Sequence, residues 1–199
     1  MSKVFVFDLD GVIRHWDPDI VAVAEREHGL PPGTLLGTAF EPELLLSVVT
    51  GVMSDDAWRS ETARRLQLTY PEADSAGAVA AWSTPHGEVI AGAMDVLTRA
   101  RAKGRVCLLT NATDRLSTDL TALGLADVFD IIFNSSHIGF AKPDPRVYAH
   151  VERALATPPN QIIYIDDGVA NIHAAADRGW ISLLATPETD LLHLLRDHV

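Results

Sequence analysis

At 199 residues the chain has room for one well-buried domain and a small accessory one, and its 47% hydrophobic and 22% charged residues are ordinary for a globular protein. A formal net charge of −11 argues against nucleic acid or an anionic membrane surface as the main partner, because both need an excess of Lys and Arg. It leaves open a small phosphorylated ligand, which one local cation and a few donors can hold. The single cysteine, Cys107, excludes an internal disulfide and a multi-cysteine metal site. With no basic-then-apolar leader and no apolar run of membrane-spanning length, a cytoplasmic protein is expected.

The chain opens on Lys3-Val4-Phe5-Val6-Phe7-Asp8-Leu9-Asp10-Gly11-Val12, a short apolar strand that ends in two acids spaced i, i+2. Side chains at that spacing share a face, so both carboxylates reach one small volume. A divalent cation would offset their repulsion; a polar Asp-Gly turn is the plainer alternative. From about Pro18 to Pro85 no strand is predicted. Helical stretches run over Asp19 to His28, Glu41 to Val49, Asp55 to Leu66 and Ser75 to Ala81, punctuated by Pro31-Pro32-Gly33 and Tyr70-Pro71. This predicts a helical insertion, with a return linker over Ser83 to Gly87 and a helix over Glu88 to Lys103.

Beyond it, continuous apolar runs at Val106 to Leu109, Ile131 to Phe133, Ile162 to Ile165 and Ile181 to Leu184 read as parallel strands buried on both faces. Segments of helical period lie between them, over Thr113 to Leu123, Arg146 to Leu155 and Asn171 to Arg178. Leu191 to Leu195 suits a last helix. The expected fold is α/β: an open parallel Rossmann-like sheet with helices on both faces and a small all-helical insertion. The expected division is residues 1–16 and 86–199 for the core, and 17–85 for the inserted cap.

In such a sheet ligands gather beyond the carboxyl ends of the strands. Those ends supply Asp8 and Asp10, then Thr110-Asn111, then Lys142-Pro143 on the loop after the third strand, then Asp166-Asp167-Gly168. Each piece has a bland reading, as a helix cap, a solvated loop lysine or a turn. Their recurrence after successive strands favours one shared site. His15 and Trp16 could line a pocket or pack a hinge, and Trp58 could be cap core or a substrate platform.

In these four stretches, spanning Lys3 to about Gly179, the chain resembles the haloacid dehalogenase superfamily of aspartate-nucleophile hydrolases. Asp8-Leu9-Asp10-Gly11-Val12 is similar to the family's first motif, Thr110-Asn111 to its second, Lys142-Pro143 to its third and Asp166-Asp167 to its fourth. Gly51 to Trp58 and Asp166 to Asn171 resemble its sugar-phosphate phosphatases and the epoxide hydrolase phosphatase domain. The resemblance implies a Mg²⁺-dependent phosphatase that works through an aspartyl-phosphate on small phosphorylated metabolites (organic phosphomonoesters), with a small sugar phosphate as the expected substrate. Asp8 would be nucleophile and Asp10 general acid and base. Mg²⁺ would be held by Asp8, the Asp10 carbonyl and Asp167. Thr110 and Asn111 would bind the phosphoryl group, Lys142 would offset the charge, and Asp166 would brace Lys142.

Rival readings within the family are a phosphosugar mutase, which shares nucleophile and acid, and a 2-haloacid dehalogenase. A departing halide needs neither proton nor metal, so Asp10 and the paired acids of the fourth motif weigh against dehalogenation. Phosphonate cleavage would use a lysine from the cap, and Lys3, Lys103 and Lys142 are the only lysines. A non-catalytic binding domain would typically have lost the nucleophile or a metal ligand.

Overall fold

A computed structural model of the chain describes residues 3–199. Strand β1 (Lys3–Phe7) lies at the centre of a parallel sheet with β4 (Gly104–Thr110) and β6 (Ile162–Asp166) as its neighbours. Outside these pair β5 (Ile131–Asn134) and β7 (Ile181–Leu184), giving the order β5-β4-β1-β6-β7. All the predicted strands form. Their side chains alternate between two cores: Phe5, Phe7, Val106, Leu108, Ile163 and Ile165 enter one. Val4, Val6, Cys107, Leu109, Ile162 and Tyr164 enter the other. Burial on both faces is why the three central runs are continuously apolar, whereas the edge strands β5 and β7 are not so buried and leave Ile132 and Leu184 exposed. Cys107 has no exposed surface, and burial pushes its thiol up to about 11, which makes it unreactive.

Helices α6 (Ala93–Arg101), α7 (Leu116–Ala122) and α11 (Leu191–Leu194) belong to the first face, through Val96, Leu97, Leu120 and Leu192 among others. Helices α9 (Pro145–Leu155) and α10 (Val169–Ala176) cover the second, with Val147, Val151 and Ala175. The chain runs from β1 outward to β4 and β5, then returns to β6 and β7 on the other side. The order therefore reverses beside β1, and the crevice at its carboxyl end is where such a sheet binds ligands.

The insertion is helical throughout: α1 (Ile20–Glu27), α2 (Thr34–Ala39), α3 (Pro42–Val49), α4 (Asp55–Thr69) and α5 (Ser75–Ser83). It has apolar clusters of its own, one around Leu35, Leu66 and Ala78 and another around Leu44, Val48 and Trp58. Ser54 caps α4 by accepting the Ala57 N–H at 3.2 Å, and Asp74 caps α5 by accepting that of Gly77 at 2.9 Å. Helix α2 has no counterpart in the sequence-based expectation, since six residues after a Pro-Pro-Gly turn show too little periodicity. The predicted helix over Glu88 to Lys103 is also shorter. Glu88–Val89 forms β3, antiparallel to β2 (Arg14–His15), and left-handed Gly92 (φ 82°) delays the helix to Ala93. This two-stranded ribbon joins both ends of the insertion to the sheet. Helix α8 (Ser135–Ile138) is a single turn after β5. No helix among the described residues is long and apolar enough to cross a membrane.

Candidate active site

Asp8 follows the last residue of β1, and its backbone N–H still donates to the Ile165 carbonyl at 2.9 Å, so the sheet ladder fixes its position. Its carboxylate is buried. Oδ1 accepts from the Leu9 N–H at 2.8 Å and faces Lys142 Nζ at 2.9 Å, while Oδ2 has no hydrogen-bond partner among the described residues. Lys142 is aimed by three acceptors: Asp8, Asp166 Oδ2 at 2.7 Å and the Leu109 carbonyl at 3.1 Å. An ammonium has three protons to donate, so this set accounts for all of them. Asn111 holds the lysine's backbone from both sides. Its Nδ2 donates to the Lys142 carbonyl at 2.9 Å and its Oδ1 accepts the Lys142 N–H at 2.8 Å.

The two acids after β6 are placed unequally. Asp166 is fully buried and its oxygens accept from Lys142, from the Tyr164 hydroxyl, from the Gly168 N–H at 2.7 Å and from Asn171 Nδ2 at 2.9 Å. Asp167 is exposed and presses against the turn after β1: a Cβ on Gly11 would lie 2.2 Å from Asp167 Oδ2. Gly11 is also left-handed (φ 76°), so both space and backbone conformation demand glycine there. Asp8, Asp166 and Asp167 each offer an oxygen within 4.8 Å of the others. Thr110, buried at the end of β4, opens the same crevice from the other side.

Burial together with the charge of Asp166 outweighs Lys142 and pushes the Asp8 carboxyl up to about 7. Burial and Asp166 also raise Asp167. Burial would raise Asp166 too, but Lys142 and its other donors hold it below the ordinary carboxylate value. Burial works against the charge on Lys142, yet Asp8 and Asp166 keep it protonated, above its usual value. An excess of negative charge facing oxygen-only donors suits a hard divalent cation.

Asp10 lies on the rim and its carboxylate is clamped. Arg14 donates to both oxygens, at 2.7 and 2.9 Å, and Trp16 Nε1 donates at 2.8 Å. Buried Arg14 reaches on to Asp119 at 3.2 Å and to the His86 carbonyl at 3.3 Å. Asp119 also meets His86 Nδ1 at 2.8 Å and Arg115 Nε at 2.8 Å. Arg115 donates to the Ser83, Thr84 and Pro85 carbonyls of the return linker. The sequence reading does not reach this network, because its members come from separate segments and show no motif spacing. It also misses Asp55, whose N–H donates to Asp114 Oδ1 at 2.9 Å and whose Oδ1 accepts from Thr113 Oγ1 at 2.9 Å. Those contacts tie the start of α4 to the loop after β4. Trp16 and Trp58 both line the cavity beneath the insertion. His137 and His173 take no part in the carboxylate cluster.

A parallel sheet reversing beside β1, with acids after β1 and β6 joined by one buried lysine, is the arrangement of a haloacid dehalogenase-like hydrolase. A family model for haloacid dehalogenase-like hydrolases matches residues 2–179, and the chain belongs to that family. Among curated relatives, validoxylamine A 7'-phosphate phosphatase of Streptomyces hygroscopicus subsp. limoneus is 28% identical over 96% of this chain and 90% of its own. D-ribitol-5-phosphate phosphatase of Bacteroides thetaiotaomicron is 26% identical over 90% of each. Rat bifunctional epoxide hydrolase 2 is 26% identical over 97% of this chain, which spans only 38% of that longer protein. A solved HAD family enzyme from Bacteroides thetaiotaomicron, in complex with magnesium and inorganic phosphate, superposes with a TM-score of 0.77 at 20% identity, covering 98% of this chain and 100% of that one.

Proposed function

We propose that the chain is a Mg²⁺-dependent phosphatase of small organic phosphomonoesters, working through an aspartyl-phosphate on Asp8. One observation supports this most: a buried carboxylate with one uncommitted oxygen, held by a lysine that a second acid braces. The magnesium complex of the Bacteroides enzyme and the phosphate esters named for two relatives point the same way.

Asp8, Asp167 and the Asp10 carbonyl would hold Mg²⁺. Asp166 is the less suited ligand because four donors already occupy its oxygens. When bound, the cation supplies positive charge that lets an anionic nucleophile approach an anionic ester. The Asp8 carboxylate attacks phosphorus, forming an O–P bond as the ester oxygen departs. Asp10 gives that oxygen its proton and then takes one from the water that hydrolyses the aspartyl-phosphate, which regenerates Asp8. Thr110 binds the phosphoryl oxygens, while Lys142, its three protons committed, offsets the charge gathered around them. Asn111, with both side-chain polar atoms on the Lys142 backbone, is a positioning residue. Residues 17–85 serve as the cap and residues 1–16 with 86–199 as the core.

The test is a panel of phosphomonoesters and 2-chloropropionate, each with Mg²⁺ and with chelator. Phosphate release that chelator abolishes is expected. Chloride release without metal would overturn this reading.

A further inference from the structure

Between the insertion and the sheet lies a cavity of about 420 Å³. Asp10 and residues 111–113, directly after Thr110, line it, so it lies beside the proposed phosphoryl site. Its volume falls in the range of pockets that enclose a whole small organic ligand. The roof is aromatic and aliphatic. Phe40 stacks near Trp58 (centroids 6.2 Å apart), Trp82 meets Trp58 edge-on at 5.4 Å, and Leu45 and Val48 continue the wall.

Most of the polar groups around this cavity already have partners, although Asp17 and Ser83 also line it. Asp10 is held by Arg14 and Trp16, Asp55 by Thr113 and Arg59, and Arg115 by the linker carbonyls and Asp119. Both polar atoms of the Asn111 side chain lie on Lys142. Arg59 Nε is buried without a partner among the described residues, which leaves a place for one acceptor oxygen. A polyol would bury several hydroxyls against an apolar roof, each unpaired one costly. A hydrocarbon group would bury area favourably.

Resting on the phosphatase reading, we infer that the substrate is the phosphomonoester of a largely hydrocarbon alcohol, a ring or medium chain seated against Phe40, Trp58 and Trp82, and not a polyhydroxylated sugar phosphate. The preference resides in the cap, while the sheet edge handles the phosphoryl group common to all esters.

The test compares kcat/KM with Mg²⁺ for butyl, hexyl and octyl phosphate, 1-naphthyl phosphate, ribitol 5-phosphate and p-nitrophenyl phosphate. Roughly threefold gain per added methylene is expected, with ribitol 5-phosphate roughly tenfold or more below octyl phosphate. Phe40→Ala should flatten the chain-length dependence; Phe40 is 47% exposed, so the fold tolerates its loss. A flat series, a preference for ribitol 5-phosphate, or an equal Phe40→Ala penalty on every ester overturns the hydrocarbon assignment alone. No phosphate from any ester, p-nitrophenyl phosphate included, overturns the phosphatase reading beneath it.

Discussion

The carboxyl group of Asp8 sits at about 7 because burial and the charge of Asp166 outweigh Lys142. Its folded value therefore lies above that of an unfolded aspartate, and the native chain binds the extra proton between about pH 4 and 7. The stability this contributes is present below that window and lost as pH rises through it. Asp166, shifted the other way, acts only at lower pH and does not mask the slope. In chelator, Asp8→Asn should gain on wild type by on the order of 2 kcal/mol between pH 5 and 8, read by urea denaturation. A constant difference would contradict this. Gly11→Ala attacks the same point sterically, placing a Cβ 2.2 Å from Asp167 Oδ2 in a left-handed position. About 1–2 kcal/mol of stability and most of the Mg²⁺ affinity should go, by denaturation and calorimetric titration. Full-strength Mg²⁺ binding would remove Asp167 from the ligand set.

At the scale of elements, the insertion is anchored to the sheet by a few polar contacts at defined places. Asp55, in the first turn of α4, joins Asp114 and Thr113 on the loop after β4. Asp55→Ala leaves Thr113 and Arg59 without that partner, so a loss of about 1–2 kcal/mol is expected. KM should rise several-fold while kcat changes less, because the cap shapes the cavity and the chemistry stays on the sheet. Equal falls in kcat and kcat/KM would place Asp55 in the chemistry instead. The central strands were legible because burial on both faces leaves an unbroken apolar run, and Asp8, Thr110 and Asp167 were legible because each lies at the end of such a run, with Lys142 on the loop that follows another. Helix α2 and the β2–β3 ribbon were not, since six- and two-residue elements carry almost no period. Nor was the Arg14–Asp119–His86 cluster, whose members meet only once the linker has closed over the sheet.

Across the whole molecule, the proposed reading gives charge chemistry to the sheet edge and selectivity to the helical roof. Mg²⁺ binding only the native state should raise stability by about 2.7 kcal/mol at a hundredfold excess over its Kd, or about 5–10 °C in Tm. Thermal scans of wild type and Asp167→Ala check this; the variant should lose most of the shift, and an unchanged shift would move the cation elsewhere. The central claim rests on Asp8, and release of phosphate from p-nitrophenyl phosphate with Mg²⁺ tests it most directly, with wild type measured beside Asp8→Asn. Wild-type turnover that chelator stops, and a variant reduced by roughly a thousandfold or more, is the predicted result. No turnover by wild type, or an Asp8→Asn variant as active as wild type, would contradict it.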